Sequence, residues 1–174
     1  MRFIKITVSG KICTGKTTLF WRLQKKLNWP TFSTGQFFRD YARQHNLSLE
    51  KADEQKENIT KEVDCRVRDL LKQDKYIIVE GWMTGIMADK FPRILKILLV
   101  CEDKERIRRF SQREKIPFIQ AEKRLREREN NWLKKLKVIY KRNDIFDPKT
   151  YNLIINTTKL SPNEVFKKVI KKLK

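Results

Sequence analysis

The run SGKICTGKTTL, residues 9–19, constrains this chain more than any other stretch. Gly10, four residues, Gly15, Lys16 and Thr17 match G-x-x-x-x-G-K-[ST]. The apolar run FIKITV (3–8) precedes it, and TTLFWRLQKKLN follows with Leu19, Phe20, Leu23 and Leu27 at helical spacing. A glycine-rich turn between a strand and a helix converges backbone N–H groups and the positive helix end on one point, which suits a phosphate chain. Lys16 would neutralise the β- and γ-phosphates of ATP, and the Thr17 hydroxyl would ligate Mg²⁺. Lys11, Ile12, Cys13 and Thr14 are spacers whose backbone lines the loop, Lys11 adding charge, and Thr18 closes the ATP-binding run of residues 10–18. The plain alternative is a glycine turn that binds nothing.

Further along, PTFS is a brief strand after Pro30, which stops the first helix, and YIIVEG, RILKILLVC and YNLIINTT read as three more strands. Helical stretches are expected over 36–44, 49–72 and 104–140, and over 161–173 with Ser161 as cap and Pro162 at the first position. Strands alternating with helices imply an α/β fold, a three-layer sandwich with a central five-stranded parallel sheet. No repeat, linker or low-complexity tract interrupts it, so 1–174 reads as one domain with a single core.

Charge is the unusual property: 41 Lys and Arg against 21 Asp and Glu give a formal +20, more than solubility requires. A polyanionic ligand is therefore expected. The tail VFKKVIKKLK reads as an amphipathic helix with its lysines in water, whereas the block from Lys104 to Arg142 is dense enough to hold a phosphate site. Cys13, Cys65 and Cys101 form no C-x-x-C pair and are expected to be reduced, partly buried thiols. No run of about 18 apolar residues exists to cross a membrane, and MRFIKITVS is too short and strand-like for a cleaved signal. The expected setting is cytoplasmic, without a membrane partner. His45, the only histidine, stands in a polar stretch with no partner motif and is expected to be inert.

Five segments in order, the phosphate loop, STGQFFR (33–39), VEGW (79–82), ERIRRFSQRE with RLRERE (105–129) and YNLIINTT (151–158), resemble those of the short archaeal cytidylate kinases among the nucleoside monophosphate kinases. The resemblance covers nearly the whole chain. It implies a P-loop kinase fold with a core of 1–33, 73–110 and 140–174, nucleoside-monophosphate-binding helices inserted at about 34–72, and a lid at about 111–124 broken at Pro117. The implied activity is transfer of a phosphoryl group from Mg²⁺-ATP to a nucleoside monophosphate, CMP or dCMP, by a monomer.

The resemblance also implies roles. Arg39 would grip the acceptor phosphate and Ser33 would orient that nucleotide. Asp64 and Arg66 would touch the acceptor base, with a helix-surface salt bridge as the alternative. Gly81 and Trp82 would line the acceptor site. Arg109 would pack near the adenine of ATP, and Arg113 and Arg128 would reach the transferring phosphoryl group. Glu80 closes a buried strand facing the phosphate loop; it would either hold a Mg²⁺-bound water or form an ordinary ion pair with a lysine. Phosphoryl transfer suits such a cluster, because its loose transition state needs positioning and positive charge more than a protein nucleophile.

Two departures qualify the resemblance. Trp82 stands where the family carries an arginine, and Trp132 and Lys135 replace an acid and an arginine. Tryptophan stacks on a base but cannot grip a phosphate, so Trp82 either stacks on the acceptor or fills core volume. Two rival functions remain open at this point: an ATP-binding RNA-associated factor on the same fold, and a kinase for another small acceptor. Specific nucleic-acid binding is not expected, because no RNP-type aromatic motif or G-x-x-G loop accompanies the charge.

Overall fold

The structure, a computed structural model, describes residues 3–48, 57–142 and 144–173. Its strand β1 (Lys5–Ser9) is buried at all five positions, so it needs neighbours at both edges and helices on both faces. The neighbours come from β2 (Thr31–Ser33), β3 (Ile77–Glu80), β4 (Ile94–Val100) and β5 (Leu153–Asn156), in one parallel sheet ordered β2-β3-β1-β4-β5. All five expected strands are present. The register sets Val8 beside Glu80, which brings the end of β3 next to the loop that leaves β1.

Helices α1 (Lys16–Leu27) and α7 (Pro162–Leu173) cover one face, where Leu19, Phe20 and Leu23 pack with Val165, Val169 and Leu173 over Ile6, Val8 and Leu99. On the other face lie α3 (Glu57–Lys72), the short α4 (Thr84–Met87) and the far half of α6 (Phe118–Tyr140), through Val67, Leu71, Met87 and Leu136. This is the expected three-layer sandwich. A third apolar cluster, Ile107, Phe110, Ala121 and Leu125, joins α5 (Asp103–Glu114) to α6 and takes in Ile12 from the phosphate loop.

Boundaries follow local chemistry. Helix α1 stops at Leu27 because Asn28 turns left-handed, two residues before Pro30. Helix α2 (Thr34–Gln44) begins two residues earlier than the spacing suggests, because the Ser33 hydroxyl caps it by accepting from the Gln36 N–H at 3.0 Å. The charged block is two helices parted at 115–117, where Lys115 is left-handed (φ 55°) and Pro117 bars continuation. At α7, Ser161 and Glu164 cap each other's backbone N–H groups, as the expected cap requires. Helix α4 was not foreseen, since four residues carry no readable periodicity. The helix expected over 49–72 is described only from Glu57 onward; residues 49–56 lie outside the described residues.

Candidate active site

The loop after β1 has the geometry its glycines allow. Gly10 (φ 148°) runs so close to the backbone that a Cβ would sit 2.4 Å from the Leu99 carbonyl oxygen, and Gly15 (φ 94°) faces open space at the start of α1. Cys13 is left-handed as well, at φ 60°. The Lys11 carbonyl accepts from the Lys16 ammonium at 2.7 Å and from the Thr14 hydroxyl at 3.0 Å. Burial at the loop pushes the Lys16 amine down to about 8, against the opposing pull of the Glu80 carboxylate.

A cleft of about 730 Å³ opens beyond the carboxyl ends of β1, β3 and β5, where open α/β sheets bind ligands. It takes in residues 12–18 of the loop, Arg109 and Arg113 of α5, Arg128 of α6, and Arg39 of α2. Arg109 is held by the Glu105 carboxylate at 2.7 Å and the Thr157 carbonyl at 2.8 Å, and reaches the Cys13 carbonyl at 3.4 Å. The Arg113 guanidinium lies 5.0 Å from the centre of the Phe110 ring. Arg39 is steadied by Gln36 at 2.9 Å, beside Gly35.

Glu80 is 2% exposed, and its oxygens accept from the Ser33 hydroxyl at 2.6 Å and the Thr17 hydroxyl at 3.2 Å. Of the two readings held open for it, the partners found are hydroxyls, with Lys16 close enough to feel its charge. Gly81, directly after it, is buried behind Thr34, and its N–H donates to the Val8 carbonyl at 3.1 Å.

A smaller cavity of about 80 Å³ adjoins the cleft and shares Ile12, Thr34, Gly35, Trp82 and Arg128 with it. Aromatic walls come from Phe38, Trp82 and Trp132. On α3, one turn apart, stand Thr60 and Asp64. The Thr60 hydroxyl is fully buried with no hydrogen-bond partner, and Asp64 accepts a short hydrogen bond from the Tyr140 hydroxyl. Burial pushes the Asp64 carboxyl up to about 6, against the lowering effect of that bond. Asp64 is thus a buried group and not the member of a surface salt bridge. Arg66, by contrast, is exposed over the Phe32 ring at 4.9 Å and lines neither cavity. Trp82 is half-buried: its ring centre lies 5.5 Å from that of Phe146, yet it faces both cavities, so packing and exposure to a ligand share one side chain. Lys135 is buried with its ammonium 5.5 Å from the centre of the Trp132 ring. Cys65 is exposed, unlike the part-buried Cys13 and Cys101, and His45 is exposed against Tyr41 at the end of α2.

Three residues at the site escaped the sequence reading. Thr60 could have been found from its i, i+4 spacing to Asp64. Arg106 and Glu129 could not, since they sit among many charged residues on two helices. Arg106, 1% exposed, grips both Glu129 oxygens, and a Glu129 oxygen accepts from the Ile12 N–H at 3.0 Å.

Among the described residues, no helix is long and apolar enough to cross a membrane. Comparison with known proteins gives a consistent picture. The AAA domain family matches residues 6–131. A cytidylate kinase of Haloarcula marismortui is 33% identical over 167 residues, covering 92% of this chain and 84% of its own. One of Thermoplasma volcanium is 31% identical over 166 residues, covering 93% and 87%. Among solved structures, a shikimate kinase from Acinetobacter baumannii in complex with shikimate superposes with a TM-score of 0.63 over 98% of this chain and 93% of its own; at 14% identity the likeness is one of fold. Identity of this length, laid on a five-stranded parallel sheet with a phosphate loop at its centre, leads to one family: the chain belongs to the cytidylate kinases, P-loop nucleoside monophosphate kinases.

Proposed function

We propose that this enzyme transfers the γ-phosphoryl group of ATP to CMP or dCMP, giving the nucleoside diphosphate and ADP. The observation that carries the choice of acceptor is the small cavity beside the cleft, with Thr60 and Asp64 on its floor and three aromatic rings as its walls. A flat base suits such walls. A carboxylate accepts from the exocyclic amino group of cytosine, and a hydroxyl in search of an acceptor suits the neighbouring ring nitrogen. Uracil presents an oxygen where cytosine presents that amino group, and a carboxylate repels it.

Donor and acceptor then meet end to end in the cleft. Residues 10–18 cradle the ATP phosphates, Lys16 leaves the Lys11 carbonyl to neutralise the transferring group, and Arg109 borders the adenine. Arg39 and Ser33 take the acceptor phosphate. Arg113, in a lid at about 111–124, and Arg128, one turn of α6 beyond it, add positive charge where the equatorial oxygens develop it and help exclude water. The acceptor side is an insertion at about 34–72 on a core of 1–33, 73–110 and 140–174. Every assigned role falls within one chain, so the proposal is for a monomer, working in the cytoplasm where ATP and nucleotides are at hand. No nucleic-acid partner is part of it.

The donor atoms fit a magnesium ion. The Thr17 hydroxyl and Glu80 carboxylate are hard oxygens 3.2 Å apart at the loop mouth, and Mg²⁺ is usually held by one or two protein oxygens together with phosphates and water. When bound, it would neutralise charge on the β- and γ-phosphates. Thr17 would ligate it, and Glu80, already fixed by Ser33, would orient its water.

The test is a coupled assay offering ATP with each of CMP, dCMP, UMP, AMP and GMP. CMP or dCMP should give the highest kcat/KM. Preference for a purine monophosphate would overturn the acceptor assignment, and no turnover with any of the five would favour the RNA-associated alternative.

A further inference from the structure

The Lys11–Ile12 peptide unit is gripped at both ends. Its carbonyl accepts from the Lys16 ammonium at 2.7 Å and from the Thr14 hydroxyl at 3.0 Å. Its N–H donates to Glu129 on α6 at 3.0 Å. Glu129 cannot swing away, because Arg106 on α5 holds both its oxygens, at 2.8 and 2.7 Å, and the pair is almost wholly buried. The side chain of the same residue, Ile12, is plugged into the apolar seam between those two helices, against Ile107, Phe110, Ala121 and Leu125. Polar and apolar contacts therefore fix one peptide of the phosphate loop to the root of the α5–α6 pair.

We propose that Glu129, braced by Arg106, is a positioning residue that sets the Lys11–Ile12 peptide, and through it the resting place of Lys16 and the shape of the donor phosphate cradle. A peptide unit is planar, so fixing its N–H fixes the direction of its carbonyl. That carbonyl is the acceptor for the Lys16 ammonium. Because the anchor lies on the two helices that carry Arg109, Arg113 and Arg128, the same brace keeps the cradle in register with the arginines across the cleft. A buried ion pair is weak evidence for stability, since well-packed apolar residues often replace one without loss; a built-in hydrogen bond to the phosphate loop is a reason for this one to exist. The inference rests on the reading of residues 10–18 as the donor site.

The experiment compares three variants with the wild type, by thermal unfolding, by calorimetric titration of ATP, and by steady-state kinetics in each substrate. Arg106→Met/Glu129→Leu replaces the pair with apolar residues and removes the acceptor for the Ile12 N–H. It should fold with a Tm close to wild type, yet lose on the order of a hundredfold in kcat/KM for ATP, as sub-ångström to ångström misplacement of a site can cost. Its KM for CMP should rise by no more than a few-fold, since Ile12 borders the acceptor cavity while the proposed phosphate grips Arg39 and Ser33 lie on α2 and β2. Glu129→Gln keeps an oxygen for the Ile12 N–H and should retain ATP affinity within a few-fold wherever it folds. Equal losses for ATP and CMP in the double variant, or wild-type ATP binding and kinetics in it, would overturn the inference. Lys16→Ala separates this from the underlying reading: a dead Lys16→Ala beside a normal double variant sinks only the brace, while an active Lys16→Ala sinks the donor-site assignment itself.

Discussion

The proposed donor and acceptor halves of the cleft are built in opposite ways. The donor half is one contiguous run, residues 10–18, a loop shaped by Gly10 and Gly15 that leads into the first turn of α1 and would offer mostly backbone N–H groups. The acceptor half is assembled from side chains on separate elements: Arg39 on α2, Thr60 and Asp64 on α3, Trp82 after β3, and Trp132 on α6. Backbone cradles are sequence-tolerant around a few glycines, whereas side-chain pockets can be rewritten one residue at a time. The difference accounts for a phosphate loop legible in sequence beside an acceptor pocket whose walls include Trp82 and Trp132.

The sharpest way to break this comparison is Lys16→Ala. In the proposed function Lys16 acts on transferring charge from the first turn of α1, so turnover should fall by roughly 10²–10³ in kcat, the loss expected for one transition-state charge donor. Circular dichroism should remain that of the wild type. Unchanged turnover in a folded variant would remove the phosphate-loop assignment.

Arg39→Met probes the other half. Losing a charge-assisted contact costs about 1.5–3 kcal/mol, or roughly 10- to 150-fold in the KM of the monophosphate, with the KM for ATP little changed. A shift confined to ATP would show the halves to be reversed.

Asp64→Asn separates function from stability within the acceptor half. The folded-state carboxyl is raised to about 6 from its ordinary 3.8 by burial, so its favourable share is complete below about 3.8 and is lost as pH rises through 6. At pH 7.5 the ionised group burdens the fold, and the asparagine variant should be more stable by on the order of 2 kcal/mol in chemical denaturation, a gain that vanishes near pH 4. It should also discriminate CMP from UMP less well. A variant that is destabilised at pH 7.5 would mean that the bond from Tyr140 outweighs the burial of charge.

Trp82→Arg carries the smallest expected effect. An aromatic platform contributes roughly 1–3 kcal/mol per base and tolerates every base, so restoring the family residue should tighten CMP-over-UMP preference by up to about tenfold with little change in Tm. A large fall in Tm with unchanged preference would assign Trp82 to packing against Phe146.

Much of this was readable in advance, for a physical reason: the phosphate loop, the five strands and the cap at Ser161 depend on residues close together in the chain. Backbone dihedrals and hydrogen bonds over one to four residues are local matters, so Gly10, Gly15, Lys16 and Thr17 declare themselves in a line of text. Glu80 could be placed as well, since a strand ending beside β1 must deliver its last side chain to the loop. The tertiary structure alone decided what meets across distance. Glu129 reaches Ile12 over 117 positions, and Tyr140 reaches Asp64 over 76. Arg106 is indistinguishable in sequence from its exposed neighbour Arg108, yet it is buried, because only the packing of α5 against α6 determines which arginine of the helix faces inward. Ile12 passes for a spacer in sequence and proves to be a plug, because the seam it fills is made by two helices that begin some 90 and 106 residues later. Local physics sets each element; the pairing of distant side chains waits until those elements have packed.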